Sequence, residues 1–183
     1  MAEKKIVTLP HNVLRKPADE VPIAAIAGAR VQRLIADMKQ TLAEAPDGVG
    51  LAAPQVGASL RVFLVSEEVV HIGSEQETVN SERGAKRKRR WEYSAFINPA
   101  LKKQSRKKIE MAEGCLSVPG KFGQVTRAEK VSLEWYDETG RKHSRGFTKF
   151  FARVIQHELD HLDGVLIVDR AKKLFDVTKA SNS

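Results

Sequence analysis

The sequence predicts an α+β fold: mostly antiparallel β-sheets packed around one central helix near the C-terminus, with a second, N-terminal helix covering the core. Three observations predict it. Residues 148 to 162 have a helical apolar period. Between residues 96 and 147 lie short strand-like segments joined by turns. The order is helix, short strands, helix, with no βαβ alternation and no internal repeat.

Residues 6 to 22 carry Pro10, Pro17 and Pro22 and read as an extended, surface-wrapping arm. From about Ala24 to Ala45, Val31, Leu34, Ile35, Met38 and Leu42 recur at helical spacing. Gly28 weakens the start, so the regular helix should begin near Ala29 and cover one side of the core. Pro46-Asp47-Gly48-Val49-Gly50 breaks it. Two glycines around one apolar residue allow tight turns and close approach of a ligand to the backbone. No Lys-Ser/Thr pair follows them, which excludes a phosphate-cradling loop.

Arg61 to Ser66 (RVFLVS) is a strand by its apolar and β-branched content. The pattern then stops from Glu67 to about Glu92. Phe96 to Leu101 (FINPAL) reads as a strand interrupted by Pro99, hence at an edge or a bulge. Glu113 to Gly120 (EGCLSVPG) should present Cys115 on an extended segment ended by Pro119 and Gly120. Val131, Leu133 and Trp135 alternate with Ser132, Glu134 and Tyr136, a strand with one buried face. Asp137-Glu138-Thr139-Gly140 turns it into a partner, Arg141 to Phe147. Thr148 is placed to cap the last helix. His11, His71 and His143 lie in loop-like or solvent-facing positions and are not expected to be ligands.

On the last helix Phe150, Phe151, Val154, Ile155, Leu159 and Leu162 fill one arc, with Lys149, Arg153, Gln156 and Asp160 opposite. His157 and His161, four apart, lie one above the other at the edge of the apolar arc, so both imidazoles can reach one ion. Glu158 falls inside the arc, where a carboxylate is costly unless a cation compensates it. In hydrolases with H-E-x-x-H that glutamate is the general base. Zincin-type proteases take a third ligand downstream, but beyond Leu162 there is no His, Glu or Cys, only Asp163, Asp169 and Asp176. The single cysteine, Cys115, is therefore the upstream candidate, since one thiolate and two imidazoles suit a divalent transition metal.

At 183 residues the chain reads as one domain over residues 1–183, with a basic insertion at about 67–92. One cysteine excludes an internal disulfide framework and suits a reducing compartment. The start, MAEKKIVTLP, lacks an apolar signal region and is unlike a transit peptide, and no apolar run has membrane-spanning length. Cytoplasmic location, no membrane and a monomer are the expectations. The net charge is +8, and 11 of 31 Lys and Arg residues fall in two clusters: Arg83, Lys86, Arg87, Lys88, Arg89 and Arg90, then Lys102, Lys103, Arg106, Lys107 and Lys108. Such runs contact phosphates without sequence preference, so 83–108 is a candidate RNA contact, with Arg170, Lys172 and Lys173 adding to it.

Three blocks in order, GVGLAAPQ (Gly48–Gln55), EGCLS (Glu113–Ser117) and QHELDH (Gln156–His161), resemble the motifs of the peptide deformylases, from about Ile6 to Asp169. The resemblance implies a metal-dependent hydrolase that removes the N-formyl group from the initiator methionine of nascent polypeptides and releases formate. It implies one divalent metal on Cys115, His157 and His161, usually Fe2+, with Zn2+, Ni2+ or Co2+ as replacements. Glu158 would be the general base and acid, and the Gln55 amide and Leu116 N–H would stabilise the oxyanion. The Gly50 backbone would hold the N-formylmethionyl peptide, and Glu113 would pair structurally with Arg127. Ile155 and Leu116 are expected near an apolar methionine pocket, while Lys121 and Phe122 lie where family members differ and shape preference beyond the methionine. The ribosome, through its RNA, becomes the natural partner of the basic insertion. The long insertion departs from the family's pattern. Two rival readings are a zincin-type metallopeptidase and a basic RNA-binding protein with an inactive metal site.

Overall fold

The structure, a computed structural model, describes residues 5–45, 48–70 and 92–176. Among the described residues, eight strands form two wholly antiparallel sheets, which with three α-helices are arranged around one of those helices. The elements run α1 (Ala29–Glu44), β1 (Gly50–Ala52), β2 (Val62–Ser66), β3 (Tyr93–Gln104), β4 (Lys108–Gly114) and β5 (Lys121–Ala128). They continue with β6 (Lys130–Tyr136), β7 (Lys142–Thr148), α2 (Lys149–Leu162), α3 (Ile167–Arg170) and β8 (Leu174–Asp176). One sheet has the order β1-β2-β3-β6-β7, the other β4-β5-β8. This is the α+β class that the sequence predicts. Among the described residues no helix is long and apolar enough to cross a membrane.

The continuous apolar run of β2 has a direct cause. Phe63 and Val65 face α2 in one core cluster, and Val62 and Leu64 face α1 in the other. A strand covered by a helix on each face has no side chain to offer to water. Phe63 pairs with Phe96 across β2 and β3, their rings stacked 4.7 Å apart, and Phe147 and Phe151 extend the aromatic cluster towards α2. The regular helix α1 begins at Ala29, as the Gly28 argument requires.

Several local expectations are narrowed or corrected. Of the two places open to Pro99, an edge or a bulge, it takes the bulge: β3 is the middle strand of five, and its register with β6 shifts between Ile97 and Ala100, with Asn98 at φ +48°. The N-terminal arm is more than a wrapping: Leu14 and Val21 are buried, and Ala18 N–H donates to Leu162 O at 2.8 Å. Thr148 stands at the N-cap of α2 but makes no side-chain capping bond; Lys149 takes φ +56° and donates its N–H to Glu129 O at 3.0 Å. His143 is half-buried rather than solvent-facing, 2.6 Å from Asp137 and stacked on Trp135. His11 is exposed and accepts from Val13 N–H, whereas His71 lies outside the described residues.

Helix α2 stops at Gly164, whose φ of +73° suits glycine and whose Cα faces the Arg15 backbone so closely that a Cβ would lie 2.8 Å from Arg15 C. That stop fixes His161 one turn from the chain reversal and locks the helix end against the N-terminal arm.

Candidate metal centre

Beyond exposed Lys149, the polar arc of α2 does not face water. Arg153 and Asp160 are 4% and 8% exposed. The second sheet covers them, and its buried polar groups supply the partners that burial demands. Arg153 donates to Glu113 Oε1 (2.5 Å), Val125 O (3.1 Å) and Ile109 O (2.6 Å). Gln156 exchanges two hydrogen bonds with the Ala128 backbone, at 3.0 and 2.9 Å. Asp160 accepts from Arg127 at 2.9 Å and from Arg170 at 2.7 and 3.2 Å. These bonds fasten α2 to β4 and β5, and so to the cysteine at the end of β4.

The Glu113–Arg127 pair is present and bidentate, at 2.7 and 2.8 Å. Arg153 and His157 Nδ1 (3.1 Å) also converge on the Glu113 carboxylate. Burial by itself would raise this carboxyl, but the hydrogen bonds from His157 and Arg127 outweigh it and hold it at about 2. Glu113 thus orients His157, leaving its Nε2 for an ion. Sequence reasoning missed the roles of Arg153, Gln156 and Asp160; their helical positions, one turn before His157 and flanking the motif, were the only signal.

Cys115 lies one residue beyond β4, not within an extended strand: its carbonyl accepts Val118 N–H at 2.9 Å in a tight turn. The ligand atoms of Cys115, His157 and His161 lie within 4.8 Å of one another. Cys115 Sγ is 3.2 Å from His161 Nε2. Ordinary metal–sulfur and metal–nitrogen bonds at a tetrahedral angle imply roughly 3.6 Å between such atoms, so the donor set fits a divalent transition metal with small adjustment. Burial, and the positive charge at His157 and Arg127, push His161 well below the usual imidazole range.

Glu158 is 3% exposed, and its Oε2 has no hydrogen-bond partner among the described residues. Burial raises its carboxyl to about 7, against the pull of His157 and Arg127. The floor above it is Gly50, where a Cβ would clash with Glu158 Oε1 and lie 2.9 Å from its Cδ. Gln55 is 2% exposed; its Oε1 accepts Ala52 N–H at 2.8 Å, and its Nε2 donates to Ser117 Oγ at 3.2 Å and points at Cys115 Sγ, 3.9 Å away. Buried Ser117, to which the sequence assigned no role, sets that amide's direction. The N-terminal arm braces both segments: Val7 N–H binds Gln55 O (2.8 Å) and Leu9 N–H binds Ser117 O (3.1 Å).

Seven residues named from sequence therefore come together: Gly50, Gln55, Cys115, Leu116, His157, Glu158 and His161. All but His161 line one cleft of about 450 Å3. Its apolar walls include Val49, Leu116, Phe150 and Val154. Ile155 is not among them. It is fully buried and packed in the core, turned by about 100° from cleft-lining Val154.

The basic clusters are placed only in part. Residues 83–90 and Trp91 lie outside the described residues. Lys102 and Lys107 are exposed but paired with Glu134 and Glu129. Arg170 is committed inward to Asp160, and Lys172 pairs with Glu110, so the tail adds less open charge than its sequence suggested.

A family model for polypeptide deformylases matches residues 3–176. A peptide deformylase of Dehalococcoides mccartyi is 40% identical over 169 residues, 92% of this chain and 86% of that protein. Peptide deformylase 1A of Arabidopsis thaliana is 38% identical over 92% of this chain, which spans 63% of that longer protein. The crystal structure of a Legionella pneumophila peptide deformylase superposes with a TM-score of 0.75 at 35% identity, covering 93% of this chain and 87% of that one. By its three motifs, its fold and these matches, the chain belongs to the polypeptide deformylase family of metal-dependent hydrolases, which remove the N-formyl group from new polypeptides.

Proposed function

We propose that Cys115, His157 and His161 hold one divalent metal, and that Glu158 is the general base that hydrolyses an N-formylmethionyl peptide to formate and a free methionine amine. The observation that carries this reading is the buried Glu158 carboxylate with an unpartnered oxygen beside three clustered ligand atoms. A carboxylate so placed costs several kcal/mol unless its site serves a bound group, on the order of 1–3 kcal/mol for the lost hydrogen bond alone. Ferrous iron is the proposed metal, with zinc, nickel or cobalt able to replace it. When bound, such an ion supplies Lewis acidity, acidifying water and polarising the formyl oxygen.

The chain's own groups do the rest. Glu158, raised to about 7, takes a proton from the attacking water near neutral pH and returns it to the leaving amine. Gln55, held by Ala52 and Ser117, aims its amide N–H groups at the developing oxyanion, and the Leu116 N–H is the second donor. Each donor contributes roughly 3 kcal/mol. The Gly50 backbone holds the peptide, with the methionine side chain against Val49, Leu116 and Val154. The chain acts as a cytoplasmic monomer, and the basic 83–108 stretch contacts ribosomal RNA near the emerging substrate.

Formate release from formyl-Met-Ala-Ser, on anaerobically prepared protein with its metal assayed, tests the reading. About one metal per chain with activity is expected. Glu158→Ala should retain metal and lose roughly 10²–10⁴-fold in kcat. Metal-loaded protein that cuts internal peptide bonds but releases no formate would overturn it in favour of a metallopeptidase.

A further inference from the structure

We propose that the cavity beside the start of α1 binds a short unblocked peptide, taking its ammonium end at Asp37 and its carboxylate end at Arg30 and Arg33. This goes beyond the deformylase reading, since the cavity shares no lining residue with the metal cleft.

The cavity, of about 700 Å3, lies between one face of α1 and residues 57–60, with Asp19 of the N-terminal arm on its wall. Arg30, Arg33, Leu34 and Asp37 line it at spacings of three and four, so one stripe of α1 supplies its floor. Asp37 is 7% exposed, and among the described residues its carboxylate accepts no hydrogen bond and makes no ion pair. A carboxylate buried so far without a partner is costly, and an arginine four residues away on the same helix would ordinarily supply one. Arg33 does not. It and Arg30 are exposed and make no ion pair among the described residues. Three charges on one stripe are therefore left to the cavity.

Along the helix these charges are sorted by sign. The positive end is the start of α1, where Gly28 offers no side-chain cap and Ala29 lines the cavity. The unsatisfied N–H groups of a helix start favour an anion, as the two guanidiniums do. The negative end is Asp37, about two turns further on. Exposed Asp19 brings a second carboxylate to the walls, so two acids and two arginines leave the cavity neutral overall. A simple cation or anion is repelled by one end, whereas a zwitterion meets both.

The span selects the occupant. Arg33 stands about 6 Å from Asp37 along the helix axis, and Arg30 about 10 Å. The two ends of an extended dipeptide are roughly 7 Å apart and those of a tripeptide roughly 10 Å, while a single amino acid, at about half the dipeptide length, falls short. Ser59 is half-buried on the wall, and its hydroxyl has no partner among the described residues. That group suits the peptide bond between the two charged ends, which a purely aliphatic spacer lacks.

Calorimetric titration of dialanine into the metal-loaded protein tests the site, beside N-acetyl-dialanine, dialanine amide and free alanine. Saturable binding of dialanine is expected. Acetylation, which removes the ammonium, and Asp37→Asn, which removes its partner, should each weaken binding roughly tenfold or more. Amidation, and the double variant Arg30→Gln with Arg33→Gln, should each cost about three- to fivefold, since these guanidiniums are exposed. Free alanine should bind at least about tenfold more weakly than dialanine. Because Asp37 has no partner to lose, Asp37→Asn should unfold in urea at the wild-type midpoint or above it. A midpoint lowered by more than about 0.5 M assigns the carboxylate to the fold and overturns the site. So does the absence of saturable binding up to about 10 mM dialanine, or an affinity unchanged in Asp37→Asn or in the double arginine variant. None of these readouts depends on formate release, so they stand or fall apart from the deformylase reading.

Discussion

Replacing Glu113 by glutamine removes one negative charge from a buried cluster while keeping the shape of the side chain. The carboxylate sits at about 2 instead of the usual 4.5. At about 1.4 kcal/mol per pH unit, that difference makes ionised Glu113 worth about 3 kcal/mol to the folded state. An independent estimate agrees: deleting one partner of a buried ion pair costs roughly 3–5 kcal/mol, because the other charge stays behind. Here Arg127 would keep only Asp160, on which Arg170 also draws, and Arg153 would keep only the Val125 and Ile109 carbonyls, both arginines being under 7% exposed. The folded-state value is depressed, so the stabilisation is complete above 4.5 and is lost as pH falls towards 2. Urea unfolding of the chelator-treated protein at pH 7 should show Glu113→Gln about 3 kcal/mol less stable, a midpoint shift of roughly 1.5 M. At pH 3 the gap should shrink to under half, since a protonated glutamate and a glutamine are nearly the same group. A variant within 1 kcal/mol of wild type at pH 7 (about a fivefold change in the unfolding constant), or a gap unchanged at pH 3, would refute the assignment of that charge to the fold.

Three further outcomes are expected. Gly50→Ala should cost roughly 100-fold in kcat/KM with metal content retained, because the added Cβ displaces the Glu158 carboxylate it would touch; metal analysis beside formate release checks this. Arg170→Ala should cost under about 1 kcal/mol in urea melts, since its side chain is 53% exposed, while Arg127→Met at the buried end of the same chain of charges should cost roughly 3–5 kcal/mol. Replacing Arg83, Lys86, Arg87, Lys88, Arg89 and Arg90 by serine should abolish sedimentation with ribosomes while short formyl-peptides are still hydrolysed; wild-type binding should weaken by about 10³-fold or more between 50 and 200 mM salt if six or more phosphates are contacted.

The chemistry was legible in the sequence because its residues are held by local rules. The i, i+4 spacing of His157 and His161 is a property of one helix, and a glutamate inside an apolar arc announces itself without any tertiary information. Gly28 marked a helix limit for the same reason. The placement of Cys115 beside the histidines was carried by motif order and the lack of a downstream ligand, not by geometry.

What the sequence by itself determined is the α+β class, the apolar face of each helix and the candidate histidine pair with Glu158: all depend on periods of two or 3.6 residues within one segment. Only the tertiary structure decided what covers the other face of α2. Arg153, Gln156 and Asp160 read as solvent-facing, yet each is matched by a group 10 to 44 residues away, on β4, β5 or α3. The same holds for the Phe122–Phe175 stack across β5 and β8. A polar side chain looks alike in sequence whether water or a buried partner satisfies it, and that choice is made by long-range packing, which no local period encodes.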